Sequence, residues 1–465
     1  MTDWTKERVV IIGVARQGMA LARFLAQRGA QVILNDRRSE AQLETAIEAL
    51  RDVSVDWALG GHPLSLLDDA TLVCPSGGVP LELPLVAEAV QRGIPLSNDS
   101  QIFLENAPGP VYGITGSAGK TTTTTLVGRM ANAVRKTWVG GNIGAPLIGM
   151  LDEMSPNDPA VMELSSFQLD IMTCSPPVAA VLNLTPNHLD RHGTMDAYIR
   201  AKANILHFQQ INDVAVLSRD DLVTWSLRHK IRGRLVTFGL APADGTQFAT
   251  GTDTAPEMDV YVRDEMVMLR RDDKETAVMP ISLIALRGEH NLRNVLAACA
   301  LAAAAGLSPE AMRTGVAEFG GVAHRLELVA TIDGVHWYND SIATAPERAM
   351  AGVRAFNEPL VLLAGGRDKD LPWDDFAALI CERVDHLVAF GEVGPMLADR
   401  VQHAPVADRP DTIDICSGLK LAVQRARQVA QAGDVVLLSP GGTSFDEFRD
   451  FAYRGEQFKQ WVYEK

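Results

Sequence analysis

The residues best suited to chemistry in this chain are a glycine loop followed at once by lysine and threonine. An apolar run over residues 111–114 leads into Thr115-Gly116-Ser117-Ala118-Gly119-Lys120-Thr121-Thr122. Such a loop directs backbone N–H groups toward one point at the positive end of a helix, where polyphosphate binds. The lysine then reaches the terminal phosphates and the first threonine a magnesium ion. Ile114 stands where the general pattern has a glycine, and a Gly-rich turn with an exposed lysine is the alternative.

Two further strand ends of the same region carry polar residues. Residues 160–162 lead into Glu163, and residues 178–184 lead into a loop that contains His188. The carboxyl ends of parallel strands share one edge of a sheet, so Glu163 is expected beside Lys120 as a magnesium ligand. An acid at a helix N-terminus is the alternative for Glu163. His188 is expected at this edge as a ligand of a second cation or a substrate contact.

Two helices of the region carry further candidates. Lys202 lies on a helix predicted over residues 195–207, where a lysine taken alone indicates an exposed surface position. Asn291 and Asn294 lie three residues apart at the start of an alanine-rich helix, so both amides face a ligand over that start. Capping of the helix is the alternative for Asn291. Residues 220–287 carry short strands without a chemical motif and are expected to cover the sheet.

The first hundred residues predict a β-α-β unit. The pattern places strands over residues 9–12 and 31–35, with a turn over 13–18 and a helix over 19–28 between them. Ala15 replaces the middle glycine of the dinucleotide fingerprint, which disfavours NAD. Asp36, Arg37 and Arg38 would hold the sugar, base or phosphates of a nucleotide, and a Rossmann-like domain without a ligand is the alternative. Another strand of this region leads into a turn over residues 75–80.

The last third of the chain again alternates strands and helices. Strands predicted over residues 335–338, 359–363 and 435–438 each end in a loop rich in Gly, Ser and Asp. Each loop alone is an ordinary turn. Three of them on one edge of one sheet indicate a second ligand-binding edge.

Length and composition limit the remaining possibilities. At 465 residues the chain predicts about three domains, and 47% hydrophobic with 22% charged residues is typical of a globular protein. A net charge of −15 disfavours a nucleic-acid or anionic-membrane binder. Five widely spaced cysteines without a CxxC pair indicate free thiols rather than disulfides or zinc. A polar N-terminus and no apolar run long enough to span a bilayer predict a cytoplasmic protein without membrane insertion.

Taken together and in order, these motifs resemble those of the Mur ligases over essentially the whole chain. The run from Glu163 to Leu169, the Ser444-Phe445-Asp446 ending and the short first domain favour the members that add D-glutamate. The other matching stretches are residues 114–122, Asn187-His188-Leu189-Asp190-Arg191, His290 to Asn294, His324-Arg325, Asn339-Asp340-Ser341, Ala343-Thr344 and Leu438-Ser439-Pro440.

The resemblance implies an α/β protein of three domains. These are a Rossmann-like UDP-substrate domain over residues 1–99, a P-loop ATPase domain over 100–321 and a Rossmann-like amino-acid domain over 322–465. The implied enzyme is an ATP-dependent acid–amino-acid ligase that joins D-glutamate to UDP-N-acetylmuramoyl-L-alanine through an acyl phosphate, in peptidoglycan precursor synthesis. ATP and two magnesium ions are the expected cofactors. The expected partners are these small molecules and no nucleic acid, for a protein working as a monomer.

The resemblance also implies roles for individual residues. Lys120, His188 and a carbamylated Lys202 are the implied catalytic residues, and Thr121, Glu163 and His188 the implied metal ligands. The implied ATP-binding residues are Gly116, Ser117, Ala118, Gly119, Lys120, Thr121, Thr122, Asn291, Asn294, Arg325 and Asp340. The implied UDP-substrate residues are Arg16, Gln17, Asp36, Arg37, Arg38, Ser76, Gly78 and Asn142. The implied amino-acid-binding residues are Thr344, Lys369, Ser444, Phe445 and Phe451.

Two departures from the family pattern fall in the amino-acid half of the motifs. Ile342 replaces a usual lysine, and Gly441-Gly442-Thr443 replaces a usual alanine/cysteine stretch. They leave open whether D- or L-glutamate is preferred. Other Mur-type and folylpolyglutamate-type ligases are the nearest alternatives within the enzymes. A nucleotide-dependent oxidoreductase and a non-catalytic ATP-binding scaffold are the alternatives outside them.

Overall fold

A computed structural model describes residues 2–243, 256–272, 274–369, 371–404 and 410–464, apart from the side chain of Asp190. The chain folds into two compact units, Met1–Ile284 with His290–Ala317 and Ala285–Glu289 with Glu318–Lys465. The described residues form three sheets of four, nine and six strands. Each predicted domain contributes one of these sheets, and the first two lie in the same compact unit. The predicted α/β class is confirmed.

The first sheet contains the predicted β-α-β unit. Its strands pair in parallel in the order β3-β2-β1-β4. The strands and helices of this part are β1 (Arg8–Ile12), α1 (Arg16–Gln27), β2 (Gln31–Asp36), α2 (Glu44–Ala49), β3 (Asp56–Leu59), β4 (Leu72–Pro75), α3 (Pro84–Gln91) and α4 (Asp99–Asn106). Helix α1 begins three residues before its predicted start because the turn is very tight. A Cβ at Gly18 would lie 2.1 Å from the Gly13 carbonyl oxygen, so only glycine fits there.

The second sheet holds the glycine loop at its centre. Its order is β13-β12-β11-β10-β9-β8-β5-β7-β6, with β8, β5 and β7 parallel neighbours. The strands are β5 (Val111–Thr115), β6 (Trp138–Gly141), β7 (Ala160–Glu163), β8 (Val178–Val181), β9 (Val214–Ser218), β10 (Arg234–Phe238), β11 (Met258–Arg263), β12 (Met266–Arg271) and β13 (Lys274–Pro280). The helices are α5 (Lys120–Asn132), α6 (Ser166–Ile171), α7 (Leu189–His192), α8 (Met195–His207), α9 (Leu222–Ser226), α10 (Glu289–Ala304) and α11 (Pro309–Val316).

The expectation that residues 220–287 cover this sheet is wrong for the strands they contain. Strands β10 to β13 extend the sheet instead, because Val260, Val267 and Leu269 are buried and give β11 and β12 apolar positions to pack. Residues 244–255 and 273 of this stretch lie outside the described residues. One hydrophobic core includes Val9 and Phe24 of the first sheet region together with Leu147 and Val181 of the second. That shared core explains why the two sheets form one compact unit.

The third sheet belongs to the second unit. Its order is β14-β15-β19-β16-β17-β18, and β15, β19 and β16 are parallel neighbours. The elements are β14 (Glu327–Ile332), β15 (Val335–Asn339), α12 (Pro346–Val353), β16 (Leu360–Gly365), α13 (Asp374–Arg383), β17 (His386–Phe390), α14 (Gly394–Gln402), β18 (Thr412–Cys416), α15 (Leu419–Val429), β19 (Val435–Gly441) and α16 (Phe451–Tyr463). The prediction that three polar loops share one edge is confirmed. Among the described helices, none has the length and hydropathy needed to cross a membrane.

Candidate active site

The glycine loop is fixed from two sides. Gly119 adopts a φ of +80°, and a Cβ there would lie 2.1 Å from Asn294 Oδ1 on α10. On the other side, Asn183 accepts a hydrogen bond from the Ala118 N–H at 2.8 Å and donates one to the Ala118 carbonyl at 3.1 Å. Asn183 was missed from the sequence because an asparagine at a strand end reads as an ordinary turn residue. The loop is therefore held in one shape ahead of ligand binding.

Asn291 and Asn294 are both buried on the face of α10 that meets this loop. Asn294 Nδ2 donates a hydrogen bond to Asn291 Oδ1 at 3.1 Å. Helix α10 begins at Glu289, so Asn291 lies inside the helix and the capping alternative is wrong. The predicted shared face of the two amides is confirmed, whereas contact with ATP stays a prediction.

Lys120 lies over the loop that precedes it. Its Nζ donates hydrogen bonds to the carbonyl oxygens of Gly116 at 3.0 Å and Ser117 at 3.3 Å. The side chain is partly buried, so the alternative of an exposed lysine after an ordinary turn is wrong. Its ammonium group is placed where a phosphate entering the loop would meet a positive charge.

Glu163 is the last residue of β7, and its side chain is 2% exposed. Its Oε2 accepts a hydrogen bond from Thr121 Oγ1 at 2.9 Å, and its Oε1 accepts one from Asn142 Nδ2 at 2.8 Å. Helix α6 takes its cap from Ser165 instead, so the helix-terminus alternative for Glu163 is wrong. A carboxylate beside a threonine hydroxyl is a fitting oxygen donor set for magnesium, which completes its shell with water and phosphate.

Lys202 requires a correction. Instead of an exposed surface position it has a side chain buried to 2% exposure, and its Nζ donates to the Gly116 carbonyl at 2.9 Å and to Thr115 Oγ1 at 3.2 Å. Helix α8 turns this lysine toward the base of the glycine loop. Burial, with the Lys120 charge adding to it and Glu163 opposing it, holds the pKa of Lys202 well below the usual range. Burial therefore disfavours the charged ammonium form here relative to an exposed lysine.

An aromatic cluster follows β8. The exposed His188 adopts a φ of +53° before α7 and meets Phe167 edge-to-face, with ring centroids 5.2 Å apart. His192 stacks on the same Phe167 at 5.2 Å, and its Nε2 lies 3.0 Å from Ser166 Oγ. Within the described part of the chain, no group of three His, Cys, Asp or Glu side chains is arranged to hold a metal ion. Metal binding by His188 stays a prediction.

Tyr198 links this cluster to the phosphate loop. Its hydroxyl lies 2.9 Å from Ser117 Oγ, and its ring meets His192 edge-to-face at 5.4 Å. Ser117 Oγ also donates to the Thr185 carbonyl at 2.9 Å. The sequence carries no signal for this contact, since the helical period of α8 does not show that the Tyr198 hydroxyl has a partner.

The predicted UDP-substrate residues of the first sheet lie around two turns. Asp36 is buried and accepts hydrogen bonds from the Val14 N–H at 2.9 Å and from Arg38 Nη2 at 2.7 Å. The Arg38 guanidinium keeps the pKa of Asp36 far below its usual range. Asp36 thus holds its own loop in place through Arg38, while Arg37 stays exposed.

The second of these turns connects to the central sheet region. Ser76 Oγ donates to the Gly13 carbonyl at 3.2 Å, and the Arg191 guanidinium donates to the Gly78 carbonyl at 3.4 Å. Arg16 is exposed and donates to the Gly144 carbonyl at 3.0 Å, and Gln17 beside it is half-buried. A small cavity here is lined by Pro75, Ser76, Gly77, Val79, Leu81, Phe167, Asp170, Ile171 and Arg191.

In the second unit, Asp340 is buried at the end of β15. Its carboxylate accepts hydrogen bonds from Ser439 Oγ at 2.8 Å and from the Leu326 N–H at 3.2 Å, and burial raises its pKa to about 7. Arg325, which directly precedes Leu326, is half-buried. Asp340 thus connects β19 to the segment before β14. Contact of Asp340 and Arg325 with a nucleotide stays a prediction.

The predicted amino-acid-binding residues lie on or next to the three loops of the third sheet. Ser444 is buried and Thr344 is half-buried, whereas Phe445 is 62% exposed. Phe451 opens α16, and its carbonyl accepts a hydrogen bond from Ser341 Oγ at 2.8 Å. Burial is the main cause that lowers the pKa of Lys369.

The fold and the loop geometry define a P-loop α/β protein, and sequence comparisons define its family. Family models match residues 7–98 (Mur ligase MurD-like, N-terminal domain), 114–302 (Mur ligase middle domain) and 324–442 (Mur ligase, glutamate ligase domain). The chain is 40% identical to the UDP-N-acetylmuramoylalanine--D-glutamate ligase of Symbiobacterium thermophilum, with 98% of each chain covered. It is 38% identical to the ligase of the same name from Pelotomaculum thermopropionicum, with 99% of this chain and 98% of the relative covered. The chain therefore belongs to the Mur ligase family.

Solved structures share the fold at lower identity. The UDP-N-acetylmuramate-alanine ligase MurC of Thermotoga maritima superposes with a TM-score of 0.58 at 20% identity, with 97% of this chain and 98% of that chain covered. FolC of E. coli, in complex with DHPP and ADP, gives a TM-score of 0.53 at 16% identity, with 78% of this chain and 91% of that chain covered. At these identities the likeness concerns the fold alone.

Proposed function

We propose that the chain is the ATP-dependent ligase that joins the amine of D-glutamate to the carboxylate of UDP-N-acetylmuramoyl-L-alanine, with release of ADP and phosphate. One observation carries the phosphate-transfer half of this proposal. Glu163 lies between Thr121 and Asn142 at the mouth of a glycine loop that Lys120 overhangs. The relatives at 38–40% identity, which bear the name of that ligase, support the choice of substrates.

The chemistry needs two displacements. A carboxylate oxygen of the acceptor attacks the γ-phosphorus of ATP, and ADP leaves to give an acyl phosphate. The amine nitrogen of glutamate then attacks the carbonyl carbon of the acyl phosphate, and the proton of the amine passes to solvent or a base. Phosphate leaves and takes with it the oxygen that bridged carbon and phosphorus. Lys120 and the loop N–H groups neutralise charge in the first displacement. Magnesium held at Thr121 and Glu163 would supply further positive charge to the phosphates.

Lys202 has the environment that carbamylation requires. Carbon dioxide reacts with a neutral amine, and the lowered pKa of Lys202 favours that form. The carbamate would place an anion beside Lys120, and that anion together with His188 would attract a second magnesium ion. Growth or incubation with ¹³C-bicarbonate should give a carbamate carbon signal in the NMR spectrum that disappears in Lys202→Met. Equal signals from both proteins would contradict this assignment.

The remaining roles follow the family assignment. In the first domain, Arg16, Gln17, Arg37 and the loop of Ser76 and Gly78 would hold the UDP part, with Asp36 and Arg38 shaping that loop region. In the second unit, Thr344, Lys369, Ser444, Phe445 and Phe451 would hold glutamate. The proposal also includes a cytoplasmic location and a monomeric state. A stable dimer of the purified chain in analytical ultracentrifugation would contradict the monomeric state.

Phosphate release from the purified chain tests the proposal. We expect release only when ATP, UDP-N-acetylmuramoyl-L-alanine and glutamate are all present, and D-glutamate should exceed L-glutamate. A folate-type ligase shares the fold but would use an acceptor without UDP, so a pteroate acceptor serves as the control substrate. With ¹⁸O in the acceptor carboxylate, one labelled oxygen should appear in the released phosphate. Unlabelled phosphate would rule out the acyl-phosphate route.

A further inference from the structure

A fully buried arginine lies beneath the loops of the third sheet. Arg454 of α16 has 0% of its surface exposed. Its Nε donates to Ser341 Oγ at 3.0 Å and its Nη2 to the Ser341 carbonyl at 2.9 Å. Both Nη atoms lie 3.2 Å from the Gly442 carbonyl. One guanidinium thus joins the loop that follows β15 to the loop that follows β19.

The loop after β16 packs on the same guanidinium. Gly366 of this loop has a φ of +105°, and a Cβ there would lie 2.2 Å from the Thr443 carbonyl oxygen and 3.0 Å from Arg454 Nη1, so only glycine fits. Arg367 and Thr443 exchange two backbone hydrogen bonds, at 2.9 and 2.8 Å, that fasten this loop to the one after β19. All three loops that carry the predicted glutamate residues are therefore held around Arg454.

The hydrogen-bond partners of Arg454 are all neutral oxygens. Burying a guanidinium costs free energy that a carboxylate partner normally offsets. Here no described carboxylate is hydrogen-bonded to Arg454, and burial lowers its pKa to about 10 although Asp446 and Glu447 oppose that shift. The Arg454 charge also acts on Lys369, together with that of Arg348. Asp446 and Glu447 act on Arg454 through their charge without a hydrogen bond to it, so the guanidinium donates only to oxygens of the loops.

We propose that Arg454 is a positioning residue for the amino-acid substrate. It fixes the loops of Ser341 and Gly442 and adds positive potential where Lys369 and Ser444 would bind carboxylates. The inference rests on the proposed function and deepens it. It names Arg454 as the residue that sets the spacing of the loops that would hold glutamate.

The test compares Arg454→Lys and Arg454→Met with Arg449→Met in the full-length chain. Arg449 is the matched control because its side chain is 78% exposed on the segment before α16. Initial rates give the KM for glutamate and the KM for ATP. Hydroxylamine, in the absence of glutamate, traps the acyl phosphate as a hydroxamate and so measures the first displacement alone.

We expect the KM for glutamate to rise about 10-fold in Arg454→Lys and about 100-fold in Arg454→Met, since one or two charge-assisted hydrogen bonds are lost. Lysine keeps the charge but cannot bridge both loops, because it lacks the planar fork of arginine. Hydroxamate formation and the KM for ATP should match those of the Arg449→Met control. Thermal unfolding establishes that each variant is folded, and Arg454→Lys decides the matter if Arg454→Met does not fold.

Two results would overturn the inference. One is an unchanged KM for glutamate in a folded Arg454 variant. The other is an equal loss of hydroxamate formation and of glutamate use, which would indicate a general structural role. If the unaltered chain forms neither hydroxamate nor product, the proposed function itself is wrong and the inference fails with it.

Discussion

The loop edges of the second and third sheets differ in the partners of their charged side chains. At the first, Glu163 supplies a buried negative charge close to Lys120 and Lys202, and both lysines are hydrogen-bonded to loop carbonyls. At the second, Arg454 and Lys369 are cations to which no described carboxylate is hydrogen-bonded or ion-paired. The charged groups at the second sheet's edge share loop partners, whereas Arg454 at the third sheet's edge is held by neutral oxygens alone.

This difference matches two kinds of ligand. A nucleotide with magnesium brings both signs of charge, so its site needs a carboxylate for the metal and lysines for the phosphates. A dicarboxylic amino acid brings mainly negative charge to the loops that hold it, so its site needs cations. The two edges can therefore be tested separately, because each substitution should affect the handling of one ligand.

The largest expected effect comes from Lys120→Ala. The variant loses the ammonium group over the phosphate loop, so phosphate release should fall about 1,000-fold or more while the fold is retained. Steady-state phosphate release and thermal unfolding measure the two properties. Lys136→Ala is the control, because Lys136 is an exposed lysine beyond the same helix. Near-normal turnover in Lys120→Ala would show that the phosphates bind elsewhere.

Glycine substitutions give a smaller effect at both edges. Gly119→Ala places a methyl group against Asn294 at a φ of +80°, and we expect about a tenfold higher KM for ATP with about 1–2 kcal/mol lower stability. Gly60→Ala has a similar φ of +83° but nothing within 4 Å, so it isolates the backbone strain. Gly441→Ala, at a φ of +75° beside Trp373, should instead raise the KM for glutamate. If Gly119→Ala and Gly441→Ala raised the KM for ATP and the KM for glutamate equally, the two edges would not bind different ligands.

The sequence predicted the loop edge of the second sheet better than that of the third sheet, for a physical reason. Lys120 and Glu163 follow strands directly, and parallel strands bring their ends together whatever the rest of the fold does. Lys202 was misjudged because a helical period shows which face is apolar and not whether a single lysine on that face is covered. The carboxylate of Asp36 is engaged by Arg38, a local pairing that a sequence pattern does not reveal, and contact of Asp36 with a nucleotide stays a prediction.

Arg454 was missed for a related reason. On a helix surface an arginine is ordinarily exposed, and its burial depends on three loops distant in sequence. The available signal is the neighbouring Gly455, where a Cβ would lie 2.2 Å from His324 Nδ1. A glycine inside a helix costs stability unless something packs closely there, so Arg454-Gly455 indicated a covered face.

A further expected effect concerns the pH dependence of stability in the second unit. Burial raises the pKa of Asp340 to about 7 from an ordinary 3.8, although the charges of Arg325 and Arg348 oppose the shift. Between these two pH values the folded chain keeps a proton that the unfolded chain has released, so this group makes stability fall as pH rises toward 7. Asp340→Asn cannot ionise, and we expect its unfolding free energy to fall by about 1–3 kcal/mol less than that of the unaltered chain between pH 5 and 8.

Urea unfolding at each pH measures this difference. Asp99, whose buried carboxyl also has its pKa raised to about 7, provides the matched comparison in the first unit. Asp99→Asn should change the pH dependence of that unit's transition and leave the transition of the second unit as it was. If the unfolding free energies of the unaltered chain and of Asp340→Asn fell in parallel as the pH rose, Asp340 would already be ionised at pH 5. The charges of Arg325 and Arg348 would then outweigh the effect of burial on Asp340.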